Sequence, residues 1–417
     1  MPTTTRPAAS ESLQWLRHRP RHDPMLAERI EHWEQLLSTP CRNDITSWHD
    51  LTIEDWRALD LVGDPLAENF ILAKAEEGLK DLDDLAALDI MREQGHTAAL
   101  NLWESINYVP DFIDFDEMKP ALNALMRNPV GLVTSLFSAL VFTYRDPNVA
   151  GVLDFSGRLG YGGDISRRYW ETLRGVVDGS KVEDIKPGGS SWARWVRIRL
   201  MHSRVRIGIS RSGTWDYGLG TPISAASISG GVYTFANYPV QAARGLGGYF
   251  SQREFDAMTR QWQWVTLLQG APPELVPADI SDQHRLSRQL FRERYQRPAT
   301  DAALRLTDYY YESIGALLSG VKLPRWLTNA IASRSLTHGM SDIPSIASRI
   351  AVDLEIPNPP ISARLLSALA FANSIFANAC RWQPLGKRVA EAITRLTETL
   401  IWKGLEGQEA THTTSLG

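Results

Sequence analysis

The chain has 417 residues, 43% hydrophobic and 22% charged, which is enough to bury one large core or two ordinary ones. A net charge of -4 argues against a chain-wide electrostatic footprint for nucleic acid, and two cysteines, Cys41 and Cys380, are too few for a disulfide framework or a cysteine-based zinc site. The opening MPTTTRPAASESLQWLRHRPRH has no apolar run between its basic residues, so no signal peptide and a cytoplasmic location are expected.

Hydrophobic periodicity is helical almost throughout. PLAENFILAKAEEGLKDLDDLAAL, residues 65–88, spaces its apolar positions three and four apart and reads as one helix with its acids on the other face. A pattern of the same kind covers residues 118–126. VGLVTSLFSALVFTY, residues 130–144, falls short of the roughly 20 residues a membrane-spanning helix needs. It reads as a buried core helix, with a membrane-contacting surface as the alternative. Helical patterns continue over residues 165–177, 192–209, 223–246, 252–268, 282–294, 301–318, 361–379 and 385–402. KPGGSS, QGAPPELVP and EIPNPPIS punctuate them, with Ser191 and Ser362 placed as N-caps. Strand alternation with hairpin dipeptides is nearly absent, and no fixed-period repeat occurs. The expectation is an all-α fold: one large helical domain over residues 26–404, with flexible tails at 1–25 and 405–417.

Most chemical signatures fail. GRLGYGGD, residues 157–164, is glycine-rich but lacks the Gly-Lys-Ser/Thr ending of a phosphate loop. No Gly-x-Ser-x-Gly elbow occurs. A di-iron bundle needs two Glu-x-x-His pairs, and only Glu93 and His96 fit. The remaining histidines other than His202 are scattered and read as surface or satisfied core residues.

ARWVRIRLMHSRVRIGISR, residues 193–211, is different: six arginines, no acid and His202 in the middle. At about 100° per residue, Trp195, Arg199, His202 and Arg206 fall on one stripe, beside an apolar stripe of Ile198, Met201, Val205 and Ile209. Buried arginines need an anionic partner. Protein carboxylates, nucleic-acid phosphate, or a cofactor that brings its own acids, such as haem, each satisfy that need.

RIRLMHSRVR, residues 197–206, resembles the histidine motif of the rubber oxygenases, or latex clearing proteins, and of the wider catalytic-domain family that includes fungal endoplasmic-reticulum-bound oxygenases of mycophenolic acid biosynthesis. RRYWETLRGVVD supplies Arg168 and Thr172 upstream of His202, at the distance where the family has a functional Arg and Thr. Downstream, the segment from WDYGLGTPIS to APPELVP is similar in its Gly-x-Pro-Ile run, a helix bearing Thr234, a Leu-Gly break and an aromatic helix. The resemblance spans roughly residues 100–316. It implies a largely α-helical domain with a haem b pocket between core helices, His202 as the proximal iron ligand, and dioxygen on the opposite face. It further implies that Arg199 orients the haem or pairs with a propionate, that Arg206 flanks the same cofactor, and that Arg168, Thr172 and Thr234 meet the pocket. Where rubber-cleaving enzymes carry a lysine before the Thr, this chain has Glu171, which fits a base or proton relay better than an iron ligand.

The resulting expectation is a haem-dependent oxygenase acting with dioxygen on an apolar, alkene-containing small molecule. It needs no nucleic acid and no transmembrane span, and membrane contact stays open. The alternatives are a haem peroxidase-like or monooxygenase activity, a non-catalytic haem-binding sensor, and a helical nucleic-acid-binding protein using the Arg/Trp helix.

Overall fold

The computed structural model describes residues 24–129, 139–155, 165–317, 324–356 and 360–406, and among them every regular element is helical. The helices that build the site are α1 (Pro65–Glu76), α2 (Asp84–Glu93), α3 (Pro147–Phe155), α4 (Ile165–Gly179), α5 (Ser190–Ser212), α6 (Gln252–Leu268) and α7 (Ile280–Arg294). α5 is central and packs on α1, α2, α4 and α6.

Local chemistry sets the ends of these helices. α1 opens on Asp64, whose carboxylate accepts from Ala67 N–H, and carries Pro65 in its first turn. α5 begins after Gly189, where a Cβ would strike the backbone of Asp184, and ends at Gly213 with φ 70°, a left-handed stop that suits glycine. α6 opens on a reciprocal capping box between Ser251 and Glu254.

Packing does the rest, since helices of this length are marginal alone. α1, α2, α5 and α6 share a core that includes Phe70, Leu88, Val196, Leu200 and Trp264. Val176, Val177, Val232, Trp262 and Val265 form a second core that reaches Ile401 of helix Gln383–Gly404. An aromatic cluster of Phe142, Tyr233, Tyr238, Phe291 and Tyr295 forms a third. Each such side chain contributes about 1.5–3 kcal/mol when fully buried. Within the expected core helix at 130–144, Ala139, Val141, Phe142 and Tyr144 are buried, and residues 130–138 lie outside the described residues. No described helix is long and apolar enough to cross a membrane. Exposed apolar side chains gather instead on helix Pro360–Ala379, at Leu365, Leu369, Phe371, Ile375 and Phe376.

Several boundaries differ from the sequence pattern. Residues 65–88 are not one helix: the chain turns at Gly78, φ 72°, and restarts where Asp83 accepts from Leu85 and Ala86 N–H. Residues 223–246 split into Ala225–Ser229, a π-helical turn Tyr233–Asn237, and Tyr238–Gly245. Pro239 has no N–H to give the Phe235 carbonyl, and the ladder widens so that Tyr238 N–H reaches the Tyr233 carbonyl. Ser191 is not an N-cap: it lies inside α5 and donates to the Asp178 carbonyl at 3.0 Å. Ser362 likewise falls inside its helix. Helices such as Arg325–Gly339 escape the pattern because they mix polar and apolar residues all round. The glycine-rich 157–164 segment and the terminal residues 1–23 and 407–417 lie outside the described residues.

Candidate active site

A cavity of about 440 Å³ lies among α3, α4, α5, α6, the end of α7 and the π turn, within the usual size of ligand pockets, roughly 300–1,000 Å³. α5 contributes Trp195, Ile198, Met201 and His202, and α4 contributes Glu171, Thr172, Gly175 and Val176. Thr234 and Phe235 come from the π turn, and Trp262, Val265 and Thr266 from α6. Phe235 stacks on Trp262 with ring centroids 4.4 Å apart. The π turn carries Thr234 and Phe235 to the cavity, and such widened turns recur at functional sites.

Four expected site residues therefore line one cavity: His202, Glu171, Thr172 and Thr234. His202 is half-buried, with Nδ1 shielded from solvent. Glu171 is buried, and Arg167 Nε lies 3.3 Å from its Oε1, one turn back on α4. Thr234 Oγ1 donates to the Gly230 carbonyl at 3.0 Å. Arg168 lies on α4, and its side chain is outside the described residues.

Arg199 and Arg206, expected beside the cofactor, are paired with carboxylates of α1 and its cap. Arg199 forms a two-pronged pair with Asp64, Nε to Oδ2 at 2.6 Å and Nη2 to Oδ1 at 3.0 Å. Arg206 Nη1 donates to Glu68 Oε1 at 2.7 Å. All four side chains are buried between α5 and the start of α1, and neither arginine lines the His202 cavity. Arg194, Arg197 and Arg204 pair with Asp178, Asp83 and Asp84. Protein carboxylates thus answer five of this helix's six arginines. Burial alone would raise the Asp84 carboxyl, but Arg204 and Lys74 outweigh it and hold it below the usual carboxylate range.

Arg206 has a second task that the sequence does not announce. Its Nε and Nη2 donate to the carbonyls of Pro222 and Ile223 at 3.0 and 2.7 Å. Ile223 lines the cavity with φ 52°, a left-handed conformation that a β-branched residue adopts only under constraint. Asn148 secures the same loop, donating to the Leu219 and Thr221 carbonyls and accepting from Ile223 N–H. Two further lining groups were not legible beforehand. Gln269 donates Nε2–H to the Trp195 carbonyl, while its buried Oε1 has no hydrogen-bond partner among the described residues. Arg294 pairs with Asp146 at 2.5 Å and Asp60 at 3.0 Å; burial opposes its charge, but the two carboxylates prevail and raise its pKa. The charged end of the cavity is therefore neutralised from within.

Residues 124–374 match the family model described as ER-bound oxygenase mpaB/B'/Rubber oxygenase, catalytic domain. Among solved structures, one described as latex clearing protein LCP in the closed state aligns with a TM-score of 0.55, covering 82% of this chain and 91% of that one. At 17% identity that likeness speaks for the fold. A comparison of the sequence with curated proteins gives no match. The family match covers more than half of the chain, and the chain belongs to the oxygenase family of mpaB/B' and rubber oxygenase catalytic domains.

Proposed function

We propose that the chain is a haem b-dependent oxygenase that brings dioxygen and an apolar, alkene-containing small molecule together in this cavity. The observation that carries the reading is that His202, Glu171, Thr172 and Thr234 line one largely apolar cavity. The donor set fits haem. Among the described residues no group of three His, Cys, Asp or Glu side chains is arranged to hold a bare metal ion. The cavity offers one imidazole, and a lone imidazole suits a metal that arrives inside its own chelating ring.

Haem bound there supplies the activation of dioxygen. The neutral His202 imidazole would give one ring nitrogen to the iron, which fixes the cofactor against α5. Glu171 and Thr172, consecutive on α4 and both lining the cavity, are proposed to handle protons: the carboxylate accepts and the hydroxyl donates. Arg168, one turn before Thr172, is proposed to serve the same pocket. Trp195, Ile198, Met201 and Val265 would hold the alkene and exclude water. Arg199 and Arg206, committed to Asp64 and Glu68, act through the scaffold. With Glu171 where rubber-cleaving enzymes carry a lysine, a small molecule is the proposed substrate in preference to a polymer.

The test is incubation of the purified, haem-containing protein with ¹⁸O₂ and a panel of small alkenes, read by mass spectrometry. Label in the product supports the reading. Haem without oxygen uptake across the panel makes the protein a haem-binding sensor instead.

A further inference from the structure

A second cavity of about 520 Å³ lies between the segment around residues 37–48 and the turn at 270–279. α5 separates the two: Arg199 borders this cavity and His202 the other. Apolar side chains such as Leu66, Phe112, Leu267 and Val276 make much of its wall. Within that wall sits a buried ion pair, Arg42 to Glu274 Oε2 at 2.6 Å, with side-chain exposures of 5% and 0%. The other carboxylate oxygen, Glu274 Oε1, is buried with no hydrogen-bond partner among the described residues. Trp48, which lines the same cavity, has its Nε1–H buried without one as well.

An unmet buried acceptor or donor costs about 1–3 kcal/mol, more when charged, so two on residues that line one cavity point to a ligand. A carboxylate oxygen takes only a donor, and an indole N–H only an acceptor. A hydroxyl group is both. The charge balance narrows the class further: Arg42 with Glu274 and Arg199 with Asp64 cancel, while Asp279 and Asp282 also line the cavity. Burial, aided by Glu104, pushes the Cys41 thiol up to about 11, so it stays protonated and adds no charge. An anion is therefore disfavoured.

We propose that this cavity binds a neutral, apolar small molecule through a hydroxyl group, which donates to Glu274 Oε1 and accepts from Trp48 Nε1–H. The site is independent of the oxygenase reading and needs no haem.

The test is calorimetric titration of the full-length protein with 4-phenylbutan-1-ol and with its methyl ether, which keeps the oxygen and loses the donor. The alcohol should bind at least about ten-fold more tightly, the usual consequence of removing a hydrogen bond to a charged group. Glu274→Gln turns an amide N–H toward the cavity once its oxygen takes Arg42, and the preference should collapse to within about two-fold. Trp48→Phe should weaken both ligands by about three- to ten-fold. Equal binding of alcohol and ether to the parent overturns the proposal, as does no binding of either at concentrations on the order of 1 mM. A preference that survives Glu274→Gln places the binding elsewhere and overturns it too. Should Glu274→Gln not fold, an alcohol affinity unchanged in Trp48→Phe has the same force.

Discussion

Arg206→Met strands a buried carboxylate and unfastens a strained loop in one step. Arg206 is 1% exposed, and its guanidinium meets Glu68 and the carbonyls of Pro222 and Ile223 within 2.7–3.0 Å. Removing one partner of a buried ion pair costs about 3–5 kcal/mol. Two carbonyls lose a charged donor, at about 1 kcal/mol or more each. Release of Ile223 from its left-handed conformation offsets about 1–3 kcal/mol of this, as the loop relaxes away from the cavity. The net loss is about 4 kcal/mol, a large share of the roughly 5–15 kcal/mol that stabilises a typical protein. Urea denaturation followed by circular dichroism measures it. Glu68→Gln in the same chain removes the stranded charge, so the double variant should be less destabilised than the sum of the singles by about 1–2 kcal/mol. Arg197→Met, which breaks a largely exposed pair with Asp83, should cost no more than about 1 kcal/mol. A loss below about 1 kcal/mol for Arg206→Met, or strict additivity with Glu68→Gln, refutes the buried-pair reasoning.

Burial, with help from Arg288, lowers His284 to about 4, and the ring stacks on Phe255 beside Thr259. The unfolded chain then takes up this proton first as pH falls, so stability should drop by up to about 3 kcal/mol between pH 6.5 and 4 and level off below. In His284→Phe this component should vanish from denaturation curves across that range, and an unchanged pH slope counts against it. Thr172→Val should keep the helical fold and lower haem retention or oxygen uptake; full parental values for both remove Thr172 from the site. Glu171→Lys places an amine beside Arg167, which favours its neutral form. The ferric spectrum should then move toward a six-coordinate, low-spin form as pH rises, and a spectrum constant with pH removes Glu171.

The sequence made the helices with strong stripes legible, above all α4 and α6, and put His202 at the border of a core-facing surface. It could not show that the border runs inside the stripe of Trp195, Arg199, His202 and Arg206. Helical geometry makes those four neighbours, but Asp64 and Glu68 hold the two guanidiniums away from the cavity lining, and these carboxylates stand 135 and 138 residues away in the chain. Composition alone could not choose between them and a cofactor's acids. Thr234 reached the wall through a π turn whose cause, Pro239, is visible in the sequence, although a 3.6-residue period reads straight through it. Ile223 carried no signal at all, because its strained backbone depends on Arg206 and Asn148.

The central claim is a haem held by His202. The direct measurement is the pyridine haemochrome spectrum of the purified protein beside that of His202→Ala, with circular dichroism to show that α5 still folds. The account predicts haem b at about one per chain in the parent and its loss in the variant, since a methyl group offers iron no lone pair. A parent that takes up no haem, or a variant with full occupancy and an unchanged spectrum, contradicts it.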